Sequence, residues 1–247
     1  DLGHDGGDLG CSNSCEFDVD ACGELTELLP LEDFETCPPA GWTLAGIWAA
    51  AAAAGTDGVG NAARFFNPQG LVVLGTKLYV VDSSNHTIRA VDINPASPNY
   101  KQVTTLAGTA ASSGTADGLG PAARFNTPNG ITTDGTYLYV ADVNNHTIRK
   151  VTTSGQVTTF AGLAGTTGNT NAALGTNARF NTPRNIAFDQ ATNSLYVYEN
   201  DRADIRKIDV ATSEVTSFVG AGGLYGYVDG SASQALFLSC ASMAVDG

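Results

Sequence analysis

The chain has 247 residues, enough for one large domain or two small ones, and 43% of them are hydrophobic, which argues against wholesale disorder. The net charge of −13 is uneven, because residues 1–41 hold eleven acidic residues and no Lys or Arg, whereas residues 42–247 hold fourteen acidic and twelve basic ones. Nucleic-acid binding requires clustered Lys and Arg, so the composition argues against that partner. The longest apolar stretch, residues 45–54, is well short of the roughly 20 residues of a membrane-spanning helix, so no membrane span is expected.

Residues 1–41 are predicted to form an acidic leader, separate from a second domain over residues 42–247. The chain starts at Asp1 without a signal-like segment, so we expect a processed chain or an excised piece. Four of the five cysteines lie in the leader and the fifth lies near the other end: Cys11, Cys15, Cys22, Cys37 and Cys240. Their spacing lacks the paired C-x-x-C of many zinc sites and favours disulfide staples, and therefore an extracellular or cell-surface location. Cys240 either pairs with the leader, pairs with another chain, or stays free.

The second domain repeats itself. A strand-like run that ends in glycine, such as TTLAG, closes at Gly46, Gly108, Gly162 and Gly220. Within the middle unit, four short runs rich in β-branched and aromatic residues are separated by turn residues: Gly130–Thr133, Tyr137–Ala141, Thr147–Val151 and Gln156–Ala161. Four antiparallel strands per repeat, with the repeats stacked side by side, predict the blades of a β-propeller.

This sequence resembles the NHL-repeat β-propeller family over roughly residues 42–247. The resemblance is carried by FNTPNGITTDGTYLYVADVNNHTIRKVTTSGQVTTFAG (125–162) and FNPQGLVVLGTKLYVVDSSNHTIRAVDI (66–93). The third copy, residues 180–210, departs from the pattern, with Arg202-Ala203-Asp204 where the others have Asn-His-Thr. Thr87 and Thr147 stand where the family name implies Leu. The resemblance implies an all-β propeller of four-stranded, NHL-type blades.

The predicted blades leave the ring incomplete. Three complete blades span residues 68–108, 128–162 and 183–220, with an outer-strand-like piece before them (Trp42–Gly46) and an inner-strand-like piece after them (Cys240–Asp246). The propellers that this chain resembles usually close with about six blades. Unpaired edges and uncovered blade faces favour association. Either the native chain continues past residue 247 or another copy supplies the missing surface, and self-association is expected.

An acid and an arginine recur seven residues apart in every blade: Asp82 and Arg89, Asp142 and Arg149, and Glu199 and Arg206. The acid ends one strand and the arginine lies in the next, so each hairpin is expected to bring the two side chains together. One such pair could serve catalysis, but repetition in every blade favours a structural ion pair that fixes the register of the blade.

Metal binding is considered for two sets of residues. His86 and His146 occupy equivalent turns of different blades, which favours capping or packing over ligation. Asp134, Asp189 and Asp246 each end a predicted inner strand beside the central channel and could gather around Ca²⁺. Turn formation is the commoner role for such residues, so Ca²⁺ is a weak expectation and no other cofactor is expected.

Two more sets of residues recur with the repeat. Four phenylalanines precede the inner strands and are predicted to lie in the cores between blades: Phe65, Phe125, Phe180 and Phe237. Asn85 and Asn145 each begin an Asn-His-Thr sequon and are candidate glycosylation sites. The same residues belong to the repeat, so no glycan is needed to explain them.

The sequence is compatible with three functions to different degrees. Some propellers of the class that this chain resembles are lactonases or lyases, but no Ser-His-Asp or Cys-His set is visible here, so an enzyme is not expected. A binding module would use its loops to bind a protein or a glycan. A structural protein would polymerise into filaments, with the leader or an open edge of one copy completing the next. The incomplete ring, the leader and the odd Cys240 favour the structural protein, with the binding module as the alternative.

Overall fold

The computed structural model describes residues 55–220 and 222–245, which form fourteen β-strands and no α-helix. The strands are β1 (Gly58–Val59), β2 (Pro68–Leu74), β3 (Lys77–Asp82), β4 (Thr87–Asp92), β5 (Gln102–Gly108), β6 (Gly118–Leu119), β7 (Pro128–Thr133), β8 (Leu138–Asp142), β9 (Thr147–Val151), β10 (Gln156–Ala161), β11 (Pro183–Asp189), β12 (Ser194–Glu199), β13 (Asp204–Asp209) and β14 (Val215–Val219). Within these ranges there is no helix of the length and apolarity that crossing a membrane requires. The predictions for the leader with Cys11, Cys15, Cys22 and Cys37, for Trp42–Gly46 and for Asp246 fall outside the described residues.

The strands form three antiparallel sheets, and the predicted all-β blade architecture is confirmed. The first blade has the order β1-β5-β4-β3-β2, the second β6-β10-β9-β8-β7, and the third β11-β12-β13-β14. In each blade, the four long strands that follow one another in the chain are neighbours, as the short turns between them require. The inner strands β2, β7 and β11 contact one another in series, so the three blades stack side by side.

Between blades, the chain passes from the outer edge of the next blade to its inner strand. We call these stretches crossing segments: residues 56–66, 116–126, 170–181 and, after the third blade, 228–238. The first two begin with the short outer strands β1 and β6, which the sequence did not predict and which pair with β5 and β10. In the third, Ala172 makes a single antiparallel bridge to Val215.

Two hydrophobic cores lie between the blades. The first joins β3 and β4 to the second blade and contains Val81, Ile88, Phe125 and Leu138. The second joins β8 and β9 to the third blade and contains Ile148, Phe180 and Leu195. Each blade therefore buries its apolar face on its neighbour, as a repeat that cannot form a core alone must do.

The inner strands approach each other very closely at two glycines. A Cβ atom on Gly70 would lie 2.6 Å from the carbonyl oxygen of Asn129, and one on Gly130 would lie 2.7 Å from that of Arg184. A side chain at either position would push neighbouring blades apart, so glycine sets the spacing of the blades.

After the third blade, residues 222–245 fold as the start of another unit. Tyr225 bridges Phe237, and Val228 bridges Leu236. The inner-strand-like piece that was predicted from Cys240 forms no strand over its described residues, 240–245. A strand requires a hydrogen-bonded neighbour, and the described residues supply none for it.

Candidate functional site

One buried arginine lies on the second strand of the hairpin in each blade, on β4, β9 and β13, and its contacts repeat in all three. In the second blade, Arg149 Nη1 donates to Asp142 at 2.8 Å and to the carbonyl of Arg124 at 2.9 Å, while Nη2 donates to Asp117 at 2.7 Å and to the carbonyl of Ala116 at 3.0 Å. Arg89 makes the same four bonds with Asp82, Arg64, Asp57 and Thr56 in the first blade. Each arginine thus joins its own hairpin to its crossing segment.

The third blade keeps this geometry with different partners. Arg206 Nη1 donates to Glu199 at 3.1 Å, and Nη2 donates at 2.6 Å to Asn171, which stands where the other blades have Asp57 and Asp117. The sequence therefore predicted the hairpin pairs, and the structure places all three in contact. It missed the second partner, although Asp57, Asp117 and Asn171 recur at equivalent positions of the repeat.

Burial affects the carboxylates of these clusters. It raises the pKa of Asp142 to about 6, although Arg149, the backbone N–H of Asn126 and the Asn145 amide act in the opposite direction. It raises the pKa of Glu199 to about 7, against the lowering effect of Arg206. The nearby carboxylate of Asp204 adds to the rise in the pKa of Glu199, because a second negative charge disfavours ionisation.

His86 and His146 each accept a backbone hydrogen bond from the next blade. His86 Nδ1 accepts a hydrogen bond from the backbone N–H of Thr127 at 3.0 Å, and His146 Nδ1 accepts one from Thr182 at 3.2 Å. Nδ1 of both imidazoles therefore carries no proton, as in the neutral form of histidine. Burial lowers the pKa of each histidine. The histidines lie in separate turns and link blades. In the third blade this position is Ala203, which cannot accept such a bond.

The predicted core phenylalanines differ in burial. Phe125 and Phe180 are fully buried between blades, and each lies under the guanidinium of its own arginine, at 5.3 Å in both cases. Phe65 has the same arginine contact at 5.0 Å but is 36% exposed. Phe237 is half-buried. The outer two differ because the described residues hold no blade before the first and no complete blade after the third.

The described calcium candidates are engaged by their own turns. Asp134 accepts hydrogen bonds from the N–H groups of Thr136 and Tyr137 and from the hydroxyl of Tyr139. Asp189 accepts from Ala191 and Thr192. Within the described ranges, no three His, Cys, Asp or Glu side chains lie together as a metal site would require. These contacts fit the turn-forming role that the sequence favoured.

Both candidate glycosylation sites are buried, which corrects that expectation. Asn85 Nδ2 donates to Asp82 at 2.8 Å, and Asn145 Nδ2 donates to Asp142 at 2.7 Å. The two residues are 0% and 2% exposed. A glycan on either nitrogen would displace the carboxylate that pairs with the blade's arginine, so it is incompatible with this folded structure.

Cys240 is half-buried, and its Sγ donates to the carbonyl of Ser242 at 3.0 Å. Burial raises the pKa of its thiol. The four other cysteines lie outside the described residues, so its pairing remains a prediction.

A polar cavity of about 270 Å³, which the sequence did not predict, opens where the starts of the inner strands meet the β3–β4, β8–β9 and β12–β13 turns. We call its lining the polar face: Asn67, Gln69, Ser83, Thr127, Asn129, Val143, Thr182, Arg184, Asn200 and Asp201. The same repeat positions contribute from all three blades. No motif marks this site, because it exists only when equivalent positions of separate repeats are placed side by side.

The polar face is held by hydrogen bonds among its members and their neighbours. Gln69 Nε2 donates to Asn67 at 2.6 Å, and Asn144 donates to the hydroxyl of Thr127 at 3.0 Å. The hydroxyl of Thr182 accepts from the N–H of Asp201 at 3.0 Å. Asn67, Thr127 and Thr182 share a left-handed backbone, with φ of 55°, 54° and 52°. The repeat thus fixes the same backbone conformation at this position in each blade, while the hydrogen bonds differ between blades.

Comparisons with known proteins support the blade architecture. The chain is 43% identical over 97 residues to NHL repeat-containing protein 2 of Bos taurus and 41% identical over 97 residues to that of Homo sapiens. The aligned region covers 38% of this chain but only 13% of either relative. A structural-genomics protein of unknown function from Bacteroides thetaiotaomicron superposes with a TM-score of 0.58 at 22% identity, covering 73% of this chain and 42% of that one. No protein-family model matches the chain.

Proposed function

We propose that this chain, whose blades resemble those of NHL-repeat β-propellers, is a non-catalytic binding scaffold whose polar face holds a neutral, hydroxyl-rich ligand such as an oligosaccharide. The observation that carries the proposal is the convergence of equivalent amide and hydroxyl side chains from three blades on one cavity of about 270 Å³.

The chemistry of the polar face favours this ligand class. Its side chains are mostly amides and hydroxyls, which both donate and accept hydrogen bonds, as sugar hydroxyls do. It contains one cation and one anion, Arg184 and Asp201, so it does not select strongly for ligand charge. Its lining is almost wholly polar, whereas the centre of a protein–protein interface is more apolar than the surrounding surface, which favours the glycan over the protein partner.

The hydrogen bonds made by the other charged groups and by the histidines support a non-catalytic role. The buried acids and arginines of the three hairpins are bonded to one another and to crossing segments, and the two described histidines accept backbone hydrogen bonds. A general acid or base must reach a substrate proton. These groups are occupied by contacts that hold the blades together.

The proposal is tested by screening the full chain against immobilised neutral chito-, cello-, malto-, xylo- and manno-oligosaccharides. The variant Asn129→Ala/Arg184→Ala should bind the best of these at least about tenfold more weakly, because each lost hydrogen bond is worth about 1 kcal/mol. The exposed variant Lys101→Gln is the control and should bind normally. Failure of the entire panel, or equal binding by all three proteins, would contradict the proposal.

A second candidate function, self-association, is favoured by the face of the first blade that does not pack on the second blade. Leu71 on β2 is 64% exposed, whereas the equivalent Ile131 and Ile186 are 7% and 6% exposed in the cores between blades. An exposed residue at a core position leaves apolar surface that another chain can cover. We propose that copies of this chain, in the extracellular setting that the leader predicts, associate through this face.

Sedimentation of the full chain over a range of concentrations, with and without reductant, tests the association. The wild-type protein should form oligomers, and Leu71→Asp should shift it toward monomer. Leu119→Asp, on a solvent-exposed edge strand, is the matched control and should not. A monomer at every concentration would overturn this candidate, and reversal by reductant alone would assign association to the cysteines.

A further inference from the structure

The crossing segment after the third blade, residues 228–238, has the internal fold of the other three although no hairpin is bound to it. Its Leu236 N–H donates to the Val228 carbonyl at 2.9 Å, and the equivalent bonds of the other crossing segments measure 3.0, 2.9 and 3.1 Å. Gly226 N–H donates to the Phe237 carbonyl at 3.2 Å, as Gly114 and Gly168 do to Phe125 and Phe180. The segment is therefore preorganised.

In the three complete blades, a crossing segment receives one arginine and one carboxylate from a hairpin. Two carbonyls and an Asp or Asn side chain accept from the arginine, as Arg124, Ala116 and Asp117 do for Arg149. A phenylalanine ring lies under the guanidinium. A backbone N–H donates to the hairpin carboxylate, as Asn126 does to Asp142 at 2.7 Å.

The last crossing segment presents these same groups without a partner from the described residues. Asp229 stands at the position of Asp57 and Asp117, and its carboxylate makes no ion pair or hydrogen bond within the described ranges. The N–H of Leu238 is equivalent to that of Asn126 and donates to no described acceptor. Phe237 is half-buried, and neighbouring Tyr227 is 85% exposed. The Leu236 carbonyl accepts only a long 3.5 Å bond from Val228.

We propose that residues 226–238 are a docking site for a β-hairpin that carries a carboxylate seven residues before an arginine. The spacing is that of the three hairpins already bound, each with the acid and the arginine seven residues apart. The arginine enters between Asp229, the carbonyls of Val228 and Leu236, and the ring of Phe237. The carboxylate accepts a hydrogen bond from the N–H of Leu238. Lysine does not fit this chemistry, because a single ammonium group cannot make the planar, four-bond fork.

The site is tested by giving the full chain such a hairpin. A copy of residues 136–162 is fused after Gly247, where it keeps the repeat spacing because Asp246-Gly247 is equivalent to Asp134-Gly135. Direct fusion supplies a high effective concentration of the hairpin. Hydrogen–deuterium exchange of residues 226–238 is compared with that of the unextended chain and of a matched extension in which the copied arginine carries the Arg149→Lys change.

Exchange at Leu238 and its neighbours should slow about tenfold or more in the extended chain, because docking protects these amides from local opening. The lysine extension and an Asp229→Ala chain with the arginine extension should lose most of this protection. Equal protection by the arginine and lysine extensions would overturn the proposed recognition, and unchanged exchange in the arginine extension would overturn the site itself. The oligosaccharide screen uses a different surface, so its outcome is independent.

Discussion

Arg89, Arg149 and Arg206 are almost completely buried, and each is bonded to a hairpin acid and to its crossing segment. The contribution of each ion pair to stability is a balance, because burial of the charges costs free energy that the hydrogen bonds must offset. Removing one partner leaves the other charge uncompensated. We therefore assign the pairs a role in holding the fold.

Arg149→Met tests this assignment at the scale of one residue. The change keeps much of the side-chain volume but leaves Asp142 buried without its cation, so we expect the free energy of unfolding to fall by about 3–5 kcal/mol in urea denaturation. Arg124→Met is the control. Arg124 donates only to nearby carbonyls of Pro121 and Ala123, so its loss should cost about 1 kcal/mol or less. Similar unfolding midpoints for both variants would contradict a structural role for the cluster.

The histidine contacts predict a dependence of stability on pH. Folding lowers the pKa of His86 and His146 below 6.5, so the unfolded chain takes up protons first. Their contribution is full above pH 6.5 and is lost as the pH falls below it. Asp142 and Glu199 act in the opposite direction, because a raised carboxyl pKa means that the folded chain binds more protons. The comparison must therefore use a variant that changes only the histidines.

His86→Asn/His146→Asn removes the imidazoles and keeps residues that tolerate a left-handed backbone, which both positions have. The free energy of unfolding of the wild type, minus that of the variant, should decrease between pH 7.5 and 5. Chemical denaturation at a series of pH values gives this difference. A difference that is flat over that range would show that neither Nδ1 bond depends on a neutral imidazole.

At the scale of strands and blades, the repeat in the sequence determines most of what the structure shows. Strand β9 has the predicted bounds, Thr147–Val151, because turn residues stand directly before and after this run that contains β-branched residues. Strand β7 starts at Pro128, two residues before the predicted Gly130, because a bulge lets Pro128 pair with Asp142. Strands β1 and β6 were not predicted. Each has two residues and begins at the glycine of an Asp-Gly pair, so it carries no strand pattern. These residues pair with β5 and β10 only because the crossing segment places them at the outer edge of the blade.

The site was less predictable than the fold. Spacing within one hairpin was enough to identify the acid–arginine pairs, because hairpin register is a local property. The polar face was not predicted, because Asn129 and Arg184 come together only when the inner strands of different blades lie side by side. The buried state of Asn85 was equally hidden, since a sequon has the same letters whether it is exposed or bonded to Asp82.

Gly130→Ala tests the spacing of the inner strands. Its new Cβ would meet backbone atoms of Arg184, Asn185 and Ile186 at 2.7–3.0 Å, none of which can rotate away. We expect a loss of about 1–3 kcal/mol in the free energy of unfolding, which is typical of overpacking. Gly75→Asn is the control, because nothing lies within 4 Å of its Cβ and asparagine tolerates its φ of 61°. Equal stability of Gly130→Ala and the wild type would mean that the blades can separate without cost.

At the scale of the whole molecule, three stacked blades present three different surfaces. The polar face is built from equivalent positions of all three blades and suits a small polar ligand. The outer blade face with Leu71 and the crossing segment at residues 228–238 suit other polypeptides. In the proposed function, the ligand would be bound by residues that the repeat positions, while the buried arginines keep those positions fixed.

The most direct test of the binding scaffold is a nuclear magnetic resonance titration of the isotopically labelled full chain with the oligosaccharide panel. Binding should shift the backbone and side-chain amide signals of Asn67, Asn129 and Asn200 together, with those of Asp229 and Leu238 unmoved, because the ligand contacts the polar face of all three blades. No shift with any oligosaccharide, or shifts confined to residues away from the polar face, would contradict the proposed function.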